Sequence, residues 1–279
     1  MPVTLGSTPR PPFDAAALGE AVATHPDLSL ELLAESDSSN QVATARAKAG
    51  APDGLVVVVD HQVAGRGRLD RSWETPAGAG VTFSLLVRPT VPDARWPWIP
   101  LLVGHTVAKS LVALGYDAAV KWPNDILIAS PDAEEEPKKV AGILVERVDT
   151  PQGPAAVIGV GINVSTTAEE LPVPTATSLA LVDGVPTPSR ADVLLGAVTA
   201  IREGFDVWQA GGDPAHERLR ASYLANCVTV GQQVRAELPG GGSLEGPASD
   251  IDQHGRLVVD TVGGPSPVGA GDVVHVRPA

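Results

Sequence analysis

Basic residues and glycines alternate in one short segment of a chain that is otherwise acidic. The segment is Gln62-Val-Ala-Gly-Arg-Gly-Arg-Leu-Asp-Arg-Ser-Trp73, which places Arg66, Arg68 and Arg71 within six residues. Glycines such as Gly67 let the backbone approach a ligand closely, and guanidinium groups beside exposed N–H groups suit a phosphate or carboxylate. Trp73 offers a flat apolar face on which a nucleobase could stack. The alternative is a basic surface hairpin without a ligand.

A second group of chemically capable residues surrounds Lys121-Trp-Pro-Asn-Asp125. Three of the chain's five lysines bracket one predicted hairpin, and Lys139 precedes Gly142 by three residues. A lysine on a strand near a glycine can place its charge on a phosphate or carboxylate. Asn124 and Asp125 follow a proline in a turn, from which their side chains can point into a cleft. An Asx-type turn without function is the alternative here.

Other familiar sites are excluded by their missing residues. Gly159-Val-Gly-Ile-Asn163 lacks the third glycine and the following helix of a dinucleotide fingerprint. The sequence contains no P-loop and no Gly-x-Ser-x-Gly elbow. Six histidines without metal-ligand spacing and one cysteine argue against a structural zinc.

Composition limits the protein class. The chain has 279 residues and a formal net charge of −13, which disfavours general binding to nucleic acid or anionic membranes. Hydrophobic residues make up 43%, enough for a sizeable core. A single cysteine, Cys227, excludes an internal disulfide framework and is interpreted as a buried apolar filler. Without a predicted membrane span or secretory signal, we expect a cytoplasmic protein.

The pattern of apolar residues predicts an α+β fold around a mixed or antiparallel sheet, flanked by helices. We expect a catalytic domain over residues 1–227, with 1–12 disordered, and a small β-barrel over 228–279. Helices are predicted at 14–25, 39–49, 100–114, 189–209 and 214–224, with Asp14 as the cap of the first. Strands are predicted at 28–34, 55–59, 81–87, 118–122, 126–129, 140–148 and 156–164.

Taken together, these motifs resemble the biotin–protein ligases. The matching segments, in order, are Ser38-Ser39-Asn40, Gln62 to Arg68 with Trp73, Lys121 to Asp125 with Lys139 to Gly142, and Gly159 to Asn163. The resemblance covers about residues 28–279. It implies a catalytic domain like that of the class II synthetases and an SH3-like C-terminal barrel. The family usually has threonine where Ser39 stands.

The resemblance implies two half-reactions. Biotin and Mg·ATP form biotinyl-5′-adenylate, and a lysine of a biotin carrier domain of an acyl-CoA or pyruvate carboxylase then takes the biotin. Mg²⁺ would arrive with the ATP phosphates, no protein ligand for it is assigned, and no tightly bound prosthetic group is expected. The residues implied to bind biotin are Ser38, Ser39, Asn40, Gln62, Arg66, Gly67, Arg68, Lys139 and Gly142. Those implied to bind ATP or the adenylate are Arg66, Arg68, Arg71, Trp73, Lys121, Asn124 and Asn163. Catalytic roles are implied for Lys139, Arg68 and Asp125.

The partners follow from the same resemblance. Only 37 residues precede Ser38, so we expect no DNA-binding domain, no repressor activity and no nucleic-acid or membrane partner. A monomer is expected, with a weak homodimer as the alternative. A lipoate–protein ligase and a non-catalytic biotin sensor are the alternative functions. Product with lipoate but not biotin would identify the first, and absence of biotin-dependent pyrophosphate exchange would favour the second.

Overall fold

A computed structural model describes residues 10–69, 71–130, 135–238, 241–269 and 272–275. It confirms the predicted α+β class. A seven-stranded mixed sheet carries the helices, and a separate five-stranded antiparallel sheet follows it along the chain. In the first sheet the strands lie in the order Ser29–Ser36, Leu55–Gln62, Gly80–Val87, Gly153–Asn163, Lys138–Thr150, Asp125–Ile128 and Ala118–Lys121. Among its described strand pairs, only the first two strands run parallel.

The helices and strands agree with the predicted elements to within a few residues at most ends. The helices are α1 Ala15–Ala23, α2 Ser39–Lys48, α3 Ile99–Ala113, α4 Arg190–Ala210 and α5 Gly212–Ala225. The strands of the first part are β1 Ser29–Ser36, β2 Leu55–Gln62, β3 Gly65–Arg66, β4 Ser72–Trp73, β5 Gly80–Val87, β6 Ala118–Lys121, β7 Asp125–Ile128, β8 Lys138–Thr150 and β9 Gly153–Asn163. The later strands are β10 Gln233–Glu237, β11 Ser243–Ile251, β12 Leu257–Thr261, β13 Gly264–Val268 and β14 Asp272–His275.

The two faces of the large sheet are covered differently. Strand β5 is buried along its whole length, as its run of apolar residues predicts for a central strand. On one face α3 and α4 pack over Phe83 and Leu85. On the other face α2 packs Ala43 and Ala47 against Val57 and its neighbours. Since α2 covers only part of that second face, the remainder is available to form a site.

Helix caps follow the sequence. The Asp14 carboxylate accepts hydrogen bonds from the backbone N–H groups of Ala16 and Ala17, as an N-cap residue does. Ser189 caps α4 by accepting from the N–H of Asp192. These side chains satisfy N–H groups that a helix start leaves unpaired.

The C-terminal sheet is joined to the catalytic part at the start of the Lys121–Asp125 turn. The linker pairs with edge strand β6, where Val120 N donates to Asn226 O at 3.0 Å. Thr229 Oγ1 accepts the backbone N–H of Trp122 at 3.0 Å. The Trp122 indole N–H donates to the carbonyl of Gly255, also at 3.0 Å, in the loop between β11 and β12. These three hydrogen bonds hold Val120 and Trp122, the residues on either side of Lys121.

The structure describes the N-terminal segment from Arg10 onward. Residues 1–9, which carry most of the expected disordered segment, lie outside the described residues. Arg10 pairs with Glu170 at 2.6 Å, and Arg190 donates to the carbonyl of Pro11. Among the described helices, none is long and apolar enough to cross a bilayer.

Candidate active site

Three glycines form the floor of a cavity on the sheet face that α2 leaves uncovered. Gly142 of β8 pairs with Gly161 of β9, and Gly159 lies two residues earlier on β9, opposite Leu144. A Cβ atom built on Gly161 would overlap the Trp73 indole, and one built on Gly159 would overlap the side chain of Asn40. The absence of side chains on this floor therefore lets other groups lie directly on the backbone.

A shift in strand register aims Lys139 into this cavity. Strands β7 and β8 pair Asp125 with Gly142 and Leu127 with Lys139, which leaves Val140 as an extra residue. Side chains alternate along a regular strand, so Lys139 and Gly142, an odd number of residues apart, would otherwise point to opposite faces. Because of the bulge, Lys139 Nζ lies 2.6 Å from Asp125 Oδ1.

Tyr223 lies close to Asp125 from the side of the core. It is fully buried, and burial raises the pKa of its phenol well above the ordinary value, with Cys227 and the Asp125 charge adding to the effect. Tyr223 therefore stays neutral beside the ion pair of Asp125 and Lys139. Cys227 is itself buried, as the sequence predicted.

One end of the cavity is a buried, uncharged polar network at the start of α2. Ser39 N donates to Gln62 Oε1 at 2.9 Å, and Ser84 Oγ lies 2.8 Å from Ser39 Oγ. Ser84 also donates to Asn40 Oδ1 at 2.5 Å. Ser38, the residue preceding α2, is buried and makes no side-chain capping bond. Such neutral groups can exchange hydrogen bonds with a polar, uncharged part of a ligand.

The other end is formed by the Gly/Arg segment, which folds as a short hairpin. Strands β3 and β4 pair Gly65 with Trp73 and Arg66 with Ser72. Leu69, at the tip, has a φ of 54°. The pairing brings the Trp73 indole over the glycine floor, where its ring centroid lies 5.6 Å from Lys139 Nζ. Trp73 Nε1 is buried without a hydrogen-bond partner among the described residues, so it can donate to a ligand.

Asn124 connects this hairpin to the sheet. Its side-chain amide donates to the carbonyl of Ile143 at 2.9 Å, and its Oδ1 accepts from Arg68 Nη1 at 3.2 Å. Asn124 is therefore bonded on both sides, to strand β8 and to the basic hairpin. Lys121, one residue before the turn, pairs with Asp125 across β6 and β7.

Positive charge dominates the cavity although the whole chain is acidic. The cavity has a volume of about 130 Å³, and a second cavity of about 580 Å³ adjoins it at the hairpin. The charged side chains that line the first cavity are Arg66, Arg68, Arg71, Lys121, Lys139 and Asp125. Among the described residues that line it, five are cations and one is a carboxylate, so the local potential favours an anionic ligand even with Glu146 beside Arg66.

Asn163 is the one predicted site residue that the structure keeps away from this cavity. Its Nδ2 donates to the carbonyl of Thr177 at 3.0 Å, and its side chain is buried. The segment around Thr177 pairs with the backbone of Lys139 and covers this end of β9. Asn163 therefore does not line this cavity, and its expected place near the adenine stays a prediction.

The sequence analysis missed several polar residues of the site, among them Ser72 and Thr82, which line the cavity, and also Ser84 and Glu146. Ser84 is fully buried and joins Ser39 to Asn40. Glu146 accepts a hydrogen bond from Asn40 Nδ2 at 2.7 Å and pairs with Arg66. Polar residues at Thr82 and Ser84 within a mostly apolar strand were the available signal for Ser84. The position of Glu146 depends on strand pairing, which the sequence does not display.

The described residues offer no dedicated metal site. Across residues 10–69, 71–130, 135–238, 241–269 and 272–275, no three His, Cys, Asp or Glu side chains are grouped to hold a metal ion. The carboxylate nearest the cationic residues, Asp125, is already engaged by Lys139. The donor set therefore fits a cation carried by phosphate oxygens better than one held by protein alone.

Comparisons with known proteins agree with this geometry. Residues 33–163 match the model of the biotin/lipoate A/B protein ligase family, a class of ligases. Residues 229–276 match the model of the biotin protein ligase C-terminal domain. The chain belongs to the biotin protein ligases. The resemblance seen in the sequence is therefore confirmed, and with it the expected fold class.

Individual relatives are similar over most of their length. The biotin–[acetyl-CoA-carboxylase] ligase of Mycobacterium tuberculosis is 38% identical over 96% of this chain and 97% of the relative. The bifunctional ligase/repressor BirA of Bacillus spizizenii is 32% identical over 85% of this chain and 70% of the relative. The solved structure of biotin protein ligase from Aquifex aeolicus in complex with biotin and ATP has a TM-score of 0.72 and 26% identity, and covers 90% of this chain and 99% of that one.

Proposed function

We propose that this protein activates biotin with ATP and transfers it to a lysine of a biotin carrier domain of an acyl-CoA or pyruvate carboxylase. The observation that carries the proposal is a cavity with a neutral polar network at one end and with cationic side chains over its floor and at the other end. Biotin has an uncharged ureido ring and an anionic carboxylate, which match the two ends. The name of the Mycobacterium tuberculosis relative supports a carboxylase as the acceptor.

In the first half-reaction, an oxygen of the biotin carboxylate forms a bond to the α-phosphorus of ATP. The bond from that phosphorus to the bridging oxygen breaks, and its electron pair leaves with pyrophosphate. Two anions must approach, and unit charges 4 Å apart repel by about 4 kcal/mol at an effective dielectric constant of about 20. Lys139 and Arg68 are placed to offset this repulsion, with Arg66 and Arg71 nearby.

The remaining assignments distribute the two substrates over the cavity. Ser38, Ser39, Asn40 and Gln62 hold the ureido end, and Gly67 and Gly142 leave room for the ligand against the backbone. Trp73, Lys121 and Asn124 hold the adenylate together with the arginines. Mg²⁺ would arrive with ATP rather than at a protein site, and the chemistry it would supply is neutralisation of phosphate charge beside Lys139 and Arg68.

In the second half-reaction, the uncharged amine of the acceptor lysine attacks the acyl carbon of biotinyl-5′-adenylate. A C–N bond forms, and the C–O bond to phosphate breaks with its electron pair leaving on AMP. Asp125 orients the incoming lysine, because its carboxylate lies beside the cavity floor opposite Gly142. One proton from the attacking nitrogen is released to solvent.

A direct assay tests this proposal. The purified chain, ATP, Mg²⁺ and radiolabelled pyrophosphate should exchange label into ATP with biotin and not with lipoate. Added carrier domain should acquire biotin, whereas a carrier with its acceptor lysine changed to arginine should not. Exchange with lipoate alone would identify a lipoate ligase, and biotin binding without exchange would identify a sensor.

We also propose where this protein acts and how it assembles. A cytoplasmic, monomeric enzyme without a nucleic-acid or membrane partner agrees with the net charge of −13 and with the reduced, buried Cys227. Sedimentation of the purified chain at several concentrations tests the monomer, since a weak homodimer would sediment faster as the concentration rises.

A further inference from the structure

Glu146 connects the two ends of the cavity through one carboxylate. Its Oε2 accepts from Asn40 Nδ2 at 2.7 Å. Its two oxygens lie 3.3 and 3.4 Å from Arg66 Nη2. Asn40 belongs to the neutral polar network and Arg66 to the basic hairpin, so Glu146 bonds to both groups at once.

The position of Glu146 on β8 explains how it reaches both partners. Gly142, Leu144 and Glu146 alternate along the strand and therefore share the face that carries the cavity floor. The side chain is 31% exposed, so the carboxylate is neither isolated in the core nor fully screened by water. An ion pair at this depth helps to fix geometry even where its net contribution to stability is small.

An acidic residue at this point is unexpected on electrostatic grounds. The proposed reaction brings two anions into the cavity, and a nearby carboxylate opposes that unless cations offset its charge. Glu146 must therefore act by holding its two partners, Asn40 and Arg66, in place. Arg66 and Ser72 pair across the hairpin, as do Gly65 and Trp73, so fixing Arg66 also fixes Trp73 above the glycine floor.

We propose that Glu146 is a positioning residue that couples biotin binding to the placement of the basic hairpin over the adenylate. The inference rests on the proposed function and extends it to a residue outside the ligand-binding set. When the ureido ring of biotin occupies the neutral polar network, it holds Asn40 in place. Asn40 then keeps Glu146 oriented toward Arg66. The paired hairpin then keeps the adenylate from leaving before the acceptor lysine arrives.

The test compares Glu146→Ala and Glu146→Gln with the wild-type protein. Glu146→Ala should release biotinyl-5′-adenylate about tenfold faster and raise KM for biotin, with kcat for adenylation within about threefold and an unchanged melting temperature. A tenfold change corresponds to about 1.4 kcal/mol. Glu146→Gln retains an acceptor for Asn40 without the negative charge, so its release rate should lie between those of the other two proteins.

The next residue of β8, Arg147, offers a matched control through its ion-pair partner Asp93. Arg147 pairs with Asp93 at 2.7 Å on the exposed surface, so Asp93→Ala removes an ion pair from β8 without touching the cavity. It should leave the release rate unchanged. In a double-mutant cycle, Glu146→Ala should add little to Arg66→Ala, because Glu146 acts through Arg66.

The outcomes separate this inference from the proposed function. A wild-type protein without biotin-dependent exchange would refute the function. Normal exchange with equal release rates for the wild type, Glu146→Ala and Glu146→Gln would refute the positioning role alone. Additive effects of the Glu146 and Arg66 substitutions would also overturn it, since independent residues do not act through each other. If Glu146→Ala fails to fold, Glu146→Gln decides the matter.

Discussion

Replacing Lys139 with alanine should remove most of the adenylation activity and leave the fold in place. Its ammonium group lies 2.6 Å from Asp125 Oδ1, and the two side chains are 34% and 25% exposed. A partly exposed pair of this kind contributes no more than about 1 kcal/mol to folding. Unfolding of Lys139→Ala should therefore remain close to that of the wild type.

The expected loss of activity is much larger. A unit charge 4 Å from the reacting anions contributes about 4 kcal/mol at an effective dielectric constant of about 20. The neighbouring arginines offset part of the loss, and removal of one oriented donor from an active site lowers the rate by about 10²–10³. We therefore expect Lys139→Ala to slow biotin-dependent pyrophosphate exchange at least about 100-fold.

Lys138 provides the matched control, because it precedes Lys139 on β8. It is exposed and pairs with Glu135 at 3.3 Å. Lys138→Ala should exchange pyrophosphate at the wild-type rate. A Lys139→Ala rate within about threefold of wild type, which is only about 0.65 kcal/mol of barrier, would contradict the assigned role. Equal losses for both variants would point to a general effect of net charge.

Three further predictions concern other parts of the protein. Gly159→Ala should raise KM for biotin about tenfold in steady-state assays, because the new methyl group displaces Asn40 at an overpacking cost of about 1–3 kcal/mol. Arg68→Gly should release biotinyl-5′-adenylate about 10- to 100-fold faster in a filter assay, since a hydrogen bond to a charged group contributes about 1.5–3 kcal/mol; an unchanged rate would argue against its phosphate contact. The hydrogen bonds from Arg10 lower the pKa of Glu170 from 4.5 to about 2. Its stabilisation is therefore complete above about pH 4.5 and is lost as pH falls toward 2, so urea unfolding should show the wild type losing its advantage over Glu170→Gln across that interval.

Much of the fold could be predicted because the relevant signals are local. Strand β5 is rich in apolar residues and proves to be a central strand. The caps at Asp14 and Ser189 lie where their side chains can accept from the next turn. The basic hairpin could also be located, because three arginines and two glycines within one segment depend on no distant contact.

The parts that escaped prediction depend on long-range pairing. The extra residue Val140 turns Lys139 into the cavity, and only the register between β7 and β8 reveals it. Glu146 meets its partners because α2, β8 and the hairpin converge there. Asn163 is withheld from the cavity by the segment around Thr177, whose pairing with Lys139 no local pattern indicates.

Long-range hydrogen bonds also connect the C-terminal part of the chain to the site. Trp122 is nearly fully buried, and its indole N–H donates to the carbonyl of Gly255. Its backbone N–H is bonded to Thr229, at the start of the C-terminal part. Because Trp122 is separated from Asn124 by a single proline, these bonds fix the turn from which Asn124 reaches Arg68. The position of the basic hairpin thus depends on the C-terminal sheet as well as on Glu146.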